Sequence, residues 1–215
     1  MPAALQDLAY DQTRELIESR KLLPGKLYSE SGLSKQLGIS RTPIRRALQK
    51  IEQEGLVEIL PQRGFYVYQF TDKDIYEIFQ LRKLLEGFAI ECICSTEESL
   101  NLDAIRSNIK SQEEAQRADD YDKFILVNKK FHQEIVELTG NERLYKMYDN
   151  LRMSVDAVGR QILRKRGYWQ LSVDEHKRIL EALEKRDFIK AKKALYSHFD
   201  SSERVLRQGL KRSEP

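Results

Sequence analysis

Three histidines are all that the chain contains, His132, His176 and His198, and each sits in a stretch of helical period. His132 lies one turn after Asn128 and aligns with Ile125, Ile135 and Val136; His176 aligns with Ile179, Leu180 and Leu183; His198 aligns with Ala191, Ala194, Leu195 and Val205. Residues three, four and seven apart share a helix face, so all three imidazoles are expected on apolar, inward faces. One inward histidine is most often a core residue hydrogen-bonded to a neighbour. Three of them, together with the amide oxygen of Asn128, have the donor types of a three-nitrogen, one-oxygen metal site with open coordination positions. Spacing along the chain leaves open whether they converge.

A second constellation is basic. Residues 40–50, SRTPIRRALQK, hold Arg41, Arg45, Arg46 and Lys50 and no acid, in a chain otherwise close to balance with 37 Lys and Arg against 34 Asp and Glu. On a helix, Ile44, Ala47, Leu48 and Ile51 form one inward stripe, while Thr42, Arg46, Gln49 and Gln53 project opposite with Arg45 and Lys50 flanking them. Ser40 is of the N-cap residue type, and the free N–H groups of a helix start suit a phosphate. Arginines placed this way reach guanine O6 and N7 in a major groove, where a bidentate pair is worth ~1 to 3 kcal/mol of discrimination. The same charge run on a solvated surface helix needs no partner. A third feature is Arg82, in the stripe of Ile75, Ile78, Phe79, Ala89 and Ile93. A buried guanidinium requires an anion, and Glu86, four residues on, is the nearest in the chain.

Positioning these groups takes two kinds of scaffold. Only residues 56–70, LVEILPQRGFYVYQF, read as β, with Val57, Ile59, Tyr66 and Tyr68 in short extended runs around Pro61-Gln62-Arg63-Gly64. This predicts a small hairpin whose tip carries Arg63 and Gly64. A short helix from Ser31 to Leu37, the link Gly38-Ile39-Ser40 and a helix from Arg41 to about Glu54 have helix-turn-helix spacing. The first 70 residues are therefore expected as helix, helix, helix, hairpin. Six helices should follow: one opened by a Thr71/Asp74 capping box and running to about Cys94, then helices near 97–118, 120–138, 141–166, 173–185 (opened by a Ser172/Glu175 capping box) and 188–208. The fold class is mainly α with a small β-hairpin wing, divided at residue 70 into a winged helix-turn-helix and an all-α antiparallel bundle over 71–215.

Composition narrows the function classes. With 40% hydrophobic and 33% charged residues, and no apolar run near the ~18 needed to cross a bilayer, a membrane-spanning protein is excluded. The first residues, MPAALQDLAYDQTREL, mix acids among apolar positions and do not form a secretory leader, so a cytoplasmic protein is expected. Cys92 and Cys94 are two apart in a helical stretch and cannot face each other, which predicts buried free thiols.

The segment PGKLYSESGLSKQLGISRTPIRRALQKIEQEGLVEILPQRGFYV resembles the winged helix-turn-helix of the GntR family of bacterial transcription regulators, SRTPIR being its most specific part. The resemblance implies that Arg41, Thr42 and Arg45 contact an operator in double-stranded DNA and that the wing tip, Arg63 and Gly64, enters the minor groove. Arg46, Gln49 and Lys50 complete the expected DNA-binding set. Two departures are visible: Ser31 stands where some relatives have a DNA-touching arginine, and Arg46 replaces the glutamate usual after Arg45. Residues 71–208 resemble the FadR-type C-terminal (FCD) domain of one branch of that family, whose motif D/N-x-x-x-H precedes two further histidines. Here these are NKKFH from Asn128 to His132, DEHKRILEAL around His176 and ALYSHF around His198.

This second resemblance implies that Asn128, His132, His176 and His198 bind a divalent metal such as zinc, nickel or manganese. It also implies that Arg82, at the position of the family's LRxxLE arginine, lies near an effector pocket. Tyr168, Trp169 and Arg160 are further candidates to line it, although aromatic residues on a helix bundle more often serve packing. Asn128 replaces the aspartate of many relatives and leaves the site one negative charge poorer; six helices rather than seven suggest the VanR-like subdivision. The expected protein is a cytoplasmic homodimeric repressor whose 1–70 domain binds DNA, and whose 71–215 domain dimerises and binds metal and a small carboxylate effector, without covalent chemistry. Two alternatives are a metal-dependent hydrolase, which a three-histidine site with an open position would equally serve, and a regulator with a purely structural metal. The chain contains no HExxH sequence or Gly-rich phosphate loop, and a hydrolase leaves the DNA-binding half unexplained.

Overall fold

A computed structural model describes residues 2–19, 21–97, 99–151 and 168–211. They fall into two compact units, Met1–Phe70 and Thr71–Pro215. The first contains α1 (Pro2–Glu18), β1 (Leu27–Tyr28), α2 (Glu30–Leu37), α3 (Arg41–Gln53), β2 (Val57–Leu60) and β3 (Gly64–Val67). Ser29 caps α2 by accepting from the Gly32 N–H, and Gly38, left-handed at φ 66°, ends it. The chain then turns through buried Ile39 into α3, whose Ile44, Ala47, Leu48 and Ile51 are buried as their spacing predicts. α1 packs on α3 with Ala9, Thr13, Leu16 and Ile17 buried. Ser40 occupies the N-cap position of α3, yet its side chain makes no capping hydrogen bond.

The wing is a three-stranded antiparallel sheet, order β1-β3-β2, instead of a two-stranded hairpin. β2 and β3 pair from Val57 with Val67 to Leu60 with Gly64, and Leu27 and Tyr28 pair with Tyr66 and Phe65. A two-residue strand is too short to carry an alternating pattern, and the open edge of β3 recruits it. Gly64 is central to that pairing: its φ is +120°, and a Cβ on it would overlap the Tyr28 carbonyl oxygen. The approach of β1 to β3 by itself requires glycine at this position of the wing.

The second unit is helical: α4 (Asp72–Ser95), α5 (Asp103–Arg117), α6 (Tyr121–Glu137), α7 (described over 142–151), α8 (Tyr168–Glu184) and α9 (Phe188–Lys211). Thr71 and Asp74 form the expected capping box at the start of α4. The second expected box does not exist. Ser172 and Glu175 are buried inside α8, which is already helical at Tyr168. α5 starts at Asp103, later than expected. α4 packs on α6 and α9, α8 on α5 and α9, and α5 on α6. Phe79, Phe124, Phe131 and Phe199 are among the largest fully buried side chains of this core. Cys92 and Cys94 are free, but half-buried rather than buried.

Candidate metal centre and nucleic-acid interface

His132 on α6, His176 on α8 and His198 on α9 are each no more than 2% exposed. Packing of the three helices brings the rings together: His198 Nε2 lies 3.2 Å from His132 Nε2 and 3.3 Å from His176 Nε2. Two ligands about 2.0 to 2.1 Å from one tetrahedral metal stand about 3.3 to 3.4 Å apart, so these separations match two edges of a zinc-like tetrahedron. All three ligand nitrogens lie within 4.8 Å of one another, and the triad can hold a metal ion.

Chemistry of the donors agrees with geometry. Metal binding needs neutral imidazoles, and burial holds His132 and His176 well below the usual histidine range. Positive charge adds to that effect, from Arg82 and His198 at His132 and from His198, His132 and Arg82 at His176. Burial also lowers His198, with Glu175 opposing it. Each Nδ1 has its own partner: Glu86 Oε2 at 2.8 Å for His132, Gln112 Oε1 at 2.8 Å for His176, and Glu175 Oε2 at 2.9 Å for His198. Such outer partners fix ring orientation and raise ligand basicity. Ser201 Oγ donates to the other Glu175 oxygen at 2.8 Å, steadying that carboxylate.

Sequence reasoning identified Glu86 only as a partner for Arg82, read Glu175 as a helix cap and passed over Gln112. A usable signal did exist: Asn108 and Gln112 share the stripe of Ile105, Ile109 and Ala115, where a polar residue must have a buried partner.

Arg82 is 5% exposed and pairs through Nε with Glu86 Oε1 at 2.8 Å. Its guanidinium carbon lies 4.3 Å from the Phe199 ring centroid. Burial works against the Arg82 charge and Glu86 outweighs it, holding the guanidinium above its ordinary value. Burial in turn raises the Glu86 carboxyl, opposed by Arg82. Glu86 therefore links Arg82 to His132.

Asn128 is half-buried, and its Oδ1 accepts from Ser172 Oγ at 3.2 Å. Tyr168 and Trp169 are each 7% exposed. Tyr168 Oη bonds Ser202 Oγ at 2.6 Å, and Trp169 stacks on Phe124 with ring centroids 5.2 Å apart. Arg160 lies outside the described residues.

On the first unit, Arg41, Thr42, Arg45, Arg46, Gln49 and Lys50 are all exposed on α3, opposite its buried stripe. Arg63 is exposed at the turn between β2 and β3, and Gly64 is half-buried. Two of the cations are already engaged. Arg45 Nη2 bonds Glu30 Oε2 at 3.0 Å, and Lys50 Nζ lies 3.9 Å from the Tyr10 ring centroid. An exposed pair such as Arg45 with Glu30 contributes little in water, so a bidentate base contact can displace it.

Comparison with known proteins follows the same division. The family description "Bacterial regulatory proteins, gntR family" matches residues 5–67, and "FCD domain" matches residues 77–201. The chain is 28% identical over 194 residues to the HTH-type transcriptional regulator YdhC of Bacillus subtilis, covering 89% of this chain and 86% of that protein. It is 25% identical over 187 residues to the HTH-type transcriptional repressor RspR of Escherichia coli, covering 87% and 82%. Its fold resembles the crystal structure of a GntR transcriptional regulator from Rhodococcus sp. RHA1, with TM-score 0.74, 18% identity, and coverage of 94% and 96%. A GntR-type helix-turn-helix and an FCD domain in one chain place this protein in the GntR family of transcription regulators, in the branch that carries the FCD domain.

Proposed function

We propose that the protein is a cytoplasmic homodimeric repressor whose operator affinity is set by a small organic acid bound at a divalent metal. The observation that carries this reading is the convergence of three buried, neutral imidazoles, each backed at Nδ1, in the same chain as a helix-turn-helix with an exposed basic face. Imidazole donors without a first-shell carboxylate favour zinc or nickel over manganese, which prefers oxygen. Asn128 supplies the fourth ligand; its Oδ1 retains a second lone pair beside the bond from Ser172. Zinc or nickel held by these four ligands would supply Lewis acidity, and expansion beyond four-coordination would admit an oxygen of the effector.

Charge favours an anionic effector. Among the described residues, a dication together with Arg82 is offset by Glu86 and Glu175, leaving one unit of positive charge in a low-dielectric site. Glu86 takes the Nε edge of Arg82, and a carboxylate on the metal would take its terminal N–H groups. Dimerisation is supported by Leu81, Leu84 and Phe88, exposed at 48%, 65% and 47% on one face of α4. Each protomer then reads one half-site of a pseudo-palindrome through Arg41, Thr42, Arg45, Arg46 and Gln49, with Lys50 and the wing tip, Arg63 and Gly64, on the backbone and minor groove. Repression is supported by the likeness to RspR, a transcriptional repressor. A cytoplasmic site follows from action on the bacterial chromosome.

The test is calorimetry of the full-length protein against hydroxy and dicarboxylic acids, before and after treatment with a chelator, alongside elemental analysis. Acid binding that needs metal and is lost in Arg82→Ala supports the reading. Binding indifferent to both changes overturns it. Turnover of the acid instead of reversible binding would favour the hydrolase, and operator affinity unchanged by every acid would favour a structural metal.

A further inference from the structure

We propose that Gln112 and Asn108 of α5 are positioning residues: their side chains form a directional amide chain that holds His176 as its Nδ1–H tautomer and aims its Nε2 lone pair at the metal centre. The purpose of the chain rests on the metal reading above; its geometry does not. His132 and His198 need no such device, because each sets Nδ1 against a carboxylate, Glu86 or Glu175. A carboxylate accepts, which places the proton on Nδ1 and leaves Nε2 bare.

His176 is different. Its Nδ1 faces an amide, Gln112, at 2.8 Å, and an amide can offer either its oxygen or its NH2. The wrong choice has a ready partner: with the proton on Nε2, His176 would donate to His198 Nε2, 3.3 Å away, and block the centre. What orients Gln112 lies one turn back on α5. Gln112 Nε2 donates to Asn108 Oδ1 at 2.8 Å, which turns Gln112 Oε1 toward His176. The Asn108 side chain also favours the charged form of the Glu134 carboxyl of α6, which burial opposes. A carboxylate on that side favours the Asn108 NH2 toward it, leaves Oδ1 for Gln112 and so sets one polarity along the chain to the ring.

The choice of residues also needs this explanation. Gln112 is completely buried and Asn108 is 6% exposed, on a stripe otherwise made of Ile105, Ile109 and Ala115. Two primary amides there carry a desolvation penalty that leucines would avoid, unless their hydrogen bonds are used.

The experiment is long-range proton–nitrogen correlation NMR on the histidine rings of 15N-labelled, metal-free, full-length protein, followed by zinc titration against a competing chelator. Wild type should show His176 protonated at Nδ1 and bare at Nε2. Gln112→Leu should move the His176 proton to Nε2 and weaken zinc about 10- to 100-fold, with the His132 ring pattern unchanged. Gln112→Glu, an acceptor without an amide, should restore the wild-type ring pattern and recover affinity relative to Gln112→Leu. Asn108→Leu, which leaves Gln112 in place but unoriented, should give a mixture of the two His176 tautomers. If Gln112→Leu does not fold, Gln112→Glu and Asn108→Leu carry the same test. A wild-type ring already protonated at Nε2, or a Gln112→Leu or Asn108→Leu ring identical to wild type, overturns the proposal. Failure of wild type to bind zinc while its ring pattern is as expected would overturn the metal reading and uphold the amide chain.

Discussion

Acidifying the metal-free protein should destabilise the helical unit through its buried imidazoles. In an unfolded chain each histidine titrates near 6.5, whereas burial keeps His132 and His176 neutral to well below that value in the fold. The unfolded state then binds more protons below pH ~6.5, so stability falls as pH falls. The stabilisation is complete above the unfolded value and is lost on descent toward the folded one. At pH ~5.5 the loss is about 1.4 kcal/mol per fully neutral histidine, hence about 3 kcal/mol for His132 and His176 together, from a total that is usually about 5 to 15 kcal/mol. His198 adds less, since Glu175 opposes the effect of burial. Glu86 and Glu134, whose carboxyls are raised by burial, act in the opposite direction, so the decisive quantity is a difference between proteins. Urea unfolding of chelator-treated wild type and His176→Gln at pH 7.5, 6.5 and 5.5, followed by the fluorescence of the single tryptophan, Trp169, reads the unit in which the histidines lie. Wild type should lose about 1.4 kcal/mol more than the variant between the highest and the lowest of these values. Equal losses would refute the assignment of a buried, neutral His176. Saturating zinc should displace the wild-type loss to lower pH, because metal and protons compete for the same nitrogens.

Gly64→Ala should lower the melting temperature of the N-terminal unit and weaken operator binding with it, since the new Cβ collides with the Tyr28 carbonyl at a φ of +120°; an unchanged melt would contradict the role given to β1. Arg45→Ala should weaken operator binding roughly ten- to hundredfold per half-site, measured by fluorescence anisotropy, and wild-type affinity in that variant would remove Arg45 from the recognition face. Glu86→Leu strips both Arg82 and His132 of their buried partner and should destabilise the protein by about 3 to 5 kcal/mol, with loss of bound metal by elemental analysis; a variant as stable as wild type would show the pair to be dispensable.

Features that depend on one helix or one tight turn were legible in the sequence. The stripe of Ile44, Ala47, Leu48 and Ile51, the Thr71/Asp74 cap and the inward faces of His132, His176 and His198 all follow from helical period and local hydrogen bonding. Local pattern also misled at Ser172 and Glu175, because S-x-x-E reads the same at a helix start and in a buried helix interior. Burial separates the two cases, and there Glu175 serves His198, 23 residues away. Tertiary structure alone decided the rest. His132 meets Glu86 across 46 residues and His176 meets Gln112 across 64, and Leu27 and Tyr28 become a strand only because β3 offers an unpaired edge. Period specifies the direction in which a side chain leaves its helix. Which atoms it meets depends on how helices cross, and that is set by packing of the whole core, a sum over many weak contacts that no short segment encodes.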